Sequence, residues 1–188
     1  MHFPIKAKPE FDFSGIPVIF EYKNVIDKNM ADSIIKDATT HSGFHRRGSK
    51  TTYTQASFTT TLLGDTSHPI YEILDNLWKQ FLDEHQFSID FIEPYEVKEY
   101  IQGDKFDNHY DWHGRIHEPL DRKMNLILQL SDSEDYKGGD LVIINKTATR
   151  ELGSVIFFPA HYMHRVTEIT DGARYSLIGH AWGNVNKG

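Results

Sequence analysis

At 188 residues the chain is long enough for one domain with a substantial core and short for two. Its 27 acidic against 20 basic side chains give a formal charge of -7, which disfavours broad nucleic-acid binding while leaving room for a local basic patch. With no cysteine, disulfides, thiolate metal sites and cysteine nucleophiles are excluded together, so any metal must be held by imidazole and oxygen.

Residues 1–13 mix Lys6, Lys8, Glu10 and Asp12 with apolar side chains and contain no apolar stretch of signal-peptide length. Nothing later approaches the roughly 20 apolar residues of a membrane span. The expectation is an unanchored, cytoplasmic protein.

Two helical patterns come first. Asp27 can cap a segment whose Met30, Ala31, Ile34, Ile35 and Ala38 recur at helical spacing. Ile70, Ile73, Leu74, Leu77, Trp78, Phe81 and Leu82 mark a longer amphipathic helix, entered at Ser67–Pro69. Both read as helices packed on a sheet. Between them, residues 41–61 are rich in Ser, Thr and Gly and carry His45, Arg46, Arg47 and Lys50. That stretch reads as a solvated connection, with a positively charged lid as the alternative.

Near residue 90 the chain changes character. Short, often β-rich runs occur at 97–101, 124–130, 141–144, 154–158, 165–169 and 173–182, the signature of a β-sandwich or barrel. Gly138-Gly139-Asp140, Asn145-Lys146 and Asp171-Gly172 lie where hairpin turns belong. A single domain over 1–188 is expected, with 1–90 as support and 91–188 as the β core.

His109-Tyr110-Asp111 places an imidazole and a carboxylate at i and i+2, so in extended backbone both project from one face. A histidine from a second strand would complete a two-histidine, one-carboxylate set with open coordination positions, as in non-haem Fe(II) oxygenases. His164 is the best candidate. Alone, a His-x-Asp pair among 11 histidines is weak, because two solvated loop residues would give the same string. The residues after His164 add weight. If Thr170-Asp171-Gly172 turns a hairpin, Arg174 lies opposite Glu168, on the face of His164 and roughly 13 Å along the strand at about 3.3 Å per residue. That separation suits a five-carbon diacid with one end on the metal and the other on the guanidinium. A register shifted by half a step would instead leave Arg174 as an exposed hairpin arginine.

Tyr100, Gly103, Phe106, His109 and Asp111 at their spacing are succeeded by 130–141, by Gly153 to Pro159, and by His164-Arg165-Val166-Thr167 with Gly172 and Arg174. Together these resemble the prolyl 4-hydroxylase-like, Fe(II)- and 2-oxoglutarate-dependent dioxygenases, and among them the PKHD-type hydroxylases, over residues 95–183. The resemblance implies a double-stranded β-helix, a jelly-roll and cupin-like core, with helices on one side. It implies His109, Asp111 and His164 on Fe(II), Arg174 on the far carboxylate of 2-oxoglutarate, O2 as oxidant and ascorbate as a stimulant.

By the same resemblance Tyr100 would hydrogen-bond the cosubstrate, although a core aromatic with a satisfied hydroxyl fits equally. Asn125 and Gln129 share a parity on the 124–130 strand, and either could replace the tyrosine that prolyl hydroxylases often carry there; a buried amide bonded to backbone is the alternative. Trp182 matches a tryptophan common on the last strand, as packing. His113, Trp112 and Arg115 could reach the pocket mouth or be loop surface.

The implied reaction couples decarboxylation of 2-oxoglutarate to succinate and CO2 with hydroxylation of a prolyl or other aliphatic residue in a protein or peptide, or of a free amino acid. A nucleic-acid demethylase on the same scaffold, disfavoured by the charge, and a non-catalytic metal-binding jelly-roll module are the competing readings.

Overall fold

The computed structural model describes residues 5–6, 10–11, 17–40, 45–50, 55–63, 67–113 and 120–184. Its strands form one curled antiparallel sheet folded into a double-stranded β-helix, with two helices on one outer face. In the larger half, Pro17–Lys23, Val155–Pro159, Leu120–Gln129, Ile169–Asn184 and Glu96–Ile101 lie side by side in that order. Gln55–Leu62 comes next and carries the sheet over to the smaller half: Lys105–His109, His164–Val166 and Leu141–Ile143.

Alternation along the strands separates two cores. On Leu120–Gln129, Met124, Leu126 and Leu128 face the helices, while Asn125, Ile127 and Gln129 face the barrel interior. Val155 and Phe157 divide from Ile156 and Phe158 in the same way, and Leu177 from Ile178. Asp27 caps the helix Lys28–Thr40 through Met30 N–H, at 2.9 Å, and Ala31, Ile34 and Ala38 are its buried stripe. The helix Ile70–His85 buries Ile70, Leu74, Leu77, Trp78 and Phe81, and Phe81 stacks on Phe157 with centroids 4.2 Å apart. Each such side chain contributes about 1.5–3 kcal/mol by leaving water.

Three local expectations are corrected. Residues 45–50 and 55–62 are not a solvated connection: His45–Lys50 and Gln55–Leu62 pair antiparallel, and the second strand bonds to both halves of the sheet. Its Phe58 and Thr60 are buried, so threonines that look solvated in a one-dimensional reading are strand residues. Residues 41–44 and 51–54 of that stretch, and Arg115 and His117, lie outside the described residues.

Thr170-Asp171-Gly172 does not turn a hairpin either. Ile169–Asn184 is a single strand whose first residues pair with Tyr136–Gly138 and whose Arg174 faces Tyr100 rather than Glu168. The turn signature is explained by a local irregularity: Gly172 has φ +72°, and a Cβ there would stand 2.1 Å from the Asp135 carbonyl oxygen. The hairpin after Leu141–Ile143 turns at Ile144-Asn145 instead of Asn145-Lys146, because Ile143 pairs with Lys146 and Ile144 takes the left-handed conformation, φ 57°.

Candidate metal and cosubstrate site

His109 ends the strand Lys105–His109, and His164 opens its neighbour His164–Val166; the two are direct cross-strand partners. Asp111 comes one residue beyond Tyr110, in a segment pinned by Asp111 N–H and Trp112 N–H, both donating to the Ala160 carbonyl at 3.1 Å. The three side chains offer ligand atoms that all lie within 4.8 Å of one another. Asp111 Oδ2 is 3.1 Å from His164 Nε2, and Asp111 Oδ1 is 3.8 Å from His109 Nε2.

Backbone carbonyls settle which ring nitrogen faces inward. His109 Nδ1 lies 2.8 Å from the Asp107 carbonyl, and His164 Nδ1 lies 3.0 Å from that of Tyr162. A carbonyl only accepts, so each Nδ1 carries the proton, and in the neutral rings both Nε2 lone pairs point at the Asp111 carboxylate. Three acceptors converge with no donor of their own between them. That donor set fits a divalent cation with imidazole and carboxylate preferences, and leaves part of its coordination sphere open.

Electrostatics keep His109 and Asp111 in their ligating forms. Burial, with His164 next to it, pushes His109 down to about 4, so it is neutral near pH 7. Burial alone would raise the Asp111 carboxyl, but His164 beside it, with His180 and His109, outweighs burial and holds it well below the usual carboxylate range. Behind Asp111, Asn125 Nδ2 donates to Oδ2 at 2.8 Å, and Asn125 Oδ1 takes a 2.8 Å hydrogen bond from His180 Nδ1. Phe106 stacks on His109 at 3.6 Å, and Phe158 meets the His164 ring edge-on.

At the inner end of the same pocket lies Arg174, 1% exposed. Its Nη2 donates to Gln129 Oε1 at 2.9 Å, and Gln129 Nε2 in turn donates to the Thr149 carbonyl at 2.9 Å. Arg174 Nε is buried and has no partner. A buried guanidinium with donors to spare, above the Tyr100 ring at 5.8 Å, fits a carboxylate arriving through the pocket. The pocket wall between this arginine and the triad includes Tyr100, Ile127, Leu141, Val166, Ser176 and Ile178.

The structure therefore brings His109, Asp111, His164, Arg174 and Tyr100 together. Asn125 and Gln129 point inward as their parity requires, yet their amides are spent elsewhere, Asn125 on Asp111 and Gln129 on Arg174. His113 bonds Asp121 and stacks on Trp182, whose indole N–H donates to Glu93. Sequence reasoning passed over His180 and Lys98. The signal for both was parity: each lies an even number of residues from an inward residue on its own strand, His180 from Arg174 and Lys98 from Tyr100.

Residues 95–182 match the family model described as the 2OG-Fe(II) oxygenase superfamily. A PKHD-type hydroxylase of Idiomarina loihiensis is 26% identical over 170 residues, which are 86% of this chain and 76% of that protein. Other PKHD-type hydroxylases align over smaller shares of their own length, 27% for that of Rippkaea orientalis and 53% for one of Acinetobacter baumannii. The viral collagen prolyl hydroxylase of Paramecium Bursaria Chlorella virus-1, solved with 2OG, shares the fold at TM-score 0.71 and 15% identity, over 88% of this chain and 96% of that one. A Trichoplax adhaerens prolyl hydroxylase, solved with a peptide fragment of hypoxia inducible factor, does so at TM-score 0.65 and 13% identity, over 87% and 82%.

Proposed function

We propose that this chain, a 2-oxoglutarate-dependent dioxygenase using Fe(II) and O2, hydroxylates an aliphatic C–H of a prolyl or other residue in a protein or peptide, or of a free amino acid, releasing succinate and CO2. His109, Asp111 and His164 hold the iron, and Arg174, steadied by Gln129, holds the far carboxylate of 2-oxoglutarate. The observation that carries this reading is the pairing, in one pocket, of three converging acceptors with a buried arginine whose Nε has no partner. A peptide acceptor is supported by the peptide in the Trichoplax neighbour and by the PKHD-type relatives.

When bound, the iron and its cosubstrate supply the oxidising power; the protein's side chains position and enclose. The two Nδ1–H donors fix the imidazole planes so that Nε2 faces the ion, and Asn125 holds the carboxylate in place. Phe106, Ile127, Leu141, Val166 and Ile178 line the pocket with apolar surface that excludes water around the reacting centre. No carboxylate need act as a general base, since hydrogen is taken from carbon.

The test is anaerobic addition of Fe(II) and 2-oxoglutarate, which should give the weak visible metal-to-ligand charge-transfer band. Absence of the band in metal-loaded protein would sink the assignment and favour a binding module. His164→Ala should abolish iron-dependent succinate formation. Arg174→Ala should chiefly weaken 2-oxoglutarate, by about tenfold or more, because a charge-assisted contact of about 1.5–3 kcal/mol is removed. Mass spectrometry for the gain of one oxygen atom across peptides and amino acids identifies the acceptor.

A further inference from the structure

Lys98 is the pocket residue that the metal and cosubstrate assignments leave without a role. It sits on Glu96–Ile101 two residues before Tyr100, so both point into the barrel, and its side chain is 13% exposed. Its ammonium lies over the rings of Phe58, at 4.8 Å, and Phe106, at 5.7 Å, and Phe106 is the ring stacked on His109. The carboxylate nearest to it among the described residues is Glu96, at 3.9 Å, beyond hydrogen-bond reach. Burying an ammonium is costly unless something negative meets it, and burial accordingly draws its pKa down.

Register says where along the pocket this charge stands. Arg174 pairs with Tyr100, and Ser176 with both Lys98 and Gln129, so Lys98 and Ser176 form the next inward row after the arginine. That row lies on the metal side, because the same strand runs on through Ile178 to His180, which reaches Asp111 through Asn125. One row is two residues, roughly 7 Å of backbone at about 3.3 Å per residue. Ser176 is fully buried, lines the pocket, and its hydroxyl has no partner. An ammonium and an orphaned hydroxyl thus lie on paired residues, in the row that follows Arg174 toward the triad.

We propose that Lys98 and Ser176 bind the metal-end carboxylate of the cosubstrate, so that 2-oxoglutarate is charge-paired by this chain at both ends, by Arg174 and by Lys98. The inference rests on the reading that 2-oxoglutarate lies between the triad and Arg174. Lys98 acts here as a binding and positioning residue for the carboxylate beside the 2-oxo group.

Two 2-oxo acids separate the two cations. 2-Oxoglutarate carries both carboxylates, and 2-oxopentanoate carries only the one beside the oxo group. Their affinities for Mn(II)-loaded protein are measured by calorimetry, with the anaerobic Fe(II) charge-transfer band as an independent readout. Lys98→Met should weaken both acids by about tenfold or more, the loss of one charge-assisted contact. Lys98→Arg should restore most of the affinity, and Arg174→Met should weaken 2-oxoglutarate alone. Melting temperatures of the variants without ligand separate a binding defect from misfolding, and Ser176→Ala, a smaller perturbation, should weaken both acids in the same direction. Wild-type affinity of Lys98→Met for both acids overturns the proposal while leaving the dioxygenase reading intact. Failure of the wild-type protein to bind 2-oxoglutarate overturns both.

Discussion

Both oxygens of Asp111 are met from outside the His-Tyr-Asp string. Asn125 donates to Oδ2 at 2.8 Å, and the Arg122 guanidinium, itself held by Glu93 at 2.7 Å, stands 3.9 Å from Oδ1. A carboxylate so held is positioned in advance for the proposed metal, and losing such outer contacts commonly lowers metal affinity about tenfold to a hundredfold. Asn125→Ala is therefore expected to weaken Fe(II) or Mn(II) binding by that order, read by calorimetry, with 2-oxoglutarate affinity of the metal-saturated protein little changed. His180, bonded to Asn125, carries a pH signature. Burial holds it at about 4 against an ordinary 6.5, so it is neutral in the fold and takes up a proton more readily when unfolded. Its contribution to stability is complete above about pH 6.5 and is lost as pH falls toward 4. Melting temperatures of metal-free protein should fall over that window, and His180→Gln should flatten the fall. A slope unchanged in His180→Gln would assign it to His109 instead, whose shift has the same sign.

At the scale of elements, the strand Ile169–Asn184 decides the site, and Gly172 decides the strand. With φ +72° and no room for a Cβ beside the Asp135 carbonyl, Gly172 lets the strand pass Tyr136 and still deliver Arg174 opposite Tyr100. Gly172→Ala should cost more than about 1 kcal/mol in denaturant unfolding and weaken 2-oxoglutarate as well, since the strand must shift. A loss of stability with unchanged 2-oxoglutarate affinity would show that the strain relaxes away from Arg174. The same strand shows what sequence could convey. The His-x-Asp string was legible although Asp111 lies just past the end of the strand Lys105–His109, and the helices because Ile34 and Ala38, or Leu74, Trp78 and Phe81, recur on one side. Arg174 was found from a turn that is not there: an Asp-Gly pair looks alike in a hairpin and in an irregular strand, and only pairing with Tyr136–Gly138 tells them apart. The strand pair of residues 45–50 and 55–62 and the network behind Asp111 escaped for a related reason, because strand partners and buried amide partners are chosen at long range, such as Asn125 with His180.

On the scale of the whole molecule, the first 90 residues are not an accessory to the β core. Pro17–Lys23 covers the edge of Val155–Pro159, and Gln55–Leu62 joins the larger half of the sheet to the strand that carries His109. Leu126, Leu128, Phe157 and Leu177 are buried because Ile34, Leu74, Trp78 and Phe81 lie over them, in one continuous cluster. A fragment spanning residues 91–188 would expose that face and leave three strand edges unpaired, those of Val155–Pro159, Glu96–Ile101 and Lys105–His109, the combination that invites aggregation. The 188-residue chain is thus expected to unfold in a single transition, with intrinsic fluorescence and far-ultraviolet circular dichroism coinciding. The fragment should be aggregated or unfolded, without metal-dependent 2-oxoglutarate binding. Adding residues 1–90 in trans should restore that binding if the two parts recombine, because what the fragment lacks is cover for its sheet rather than any ligand. A fragment that folds alone and binds 2-oxoglutarate with full affinity would show instead that the helices and the strand Gln55–Leu62 are dispensable for holding the triad.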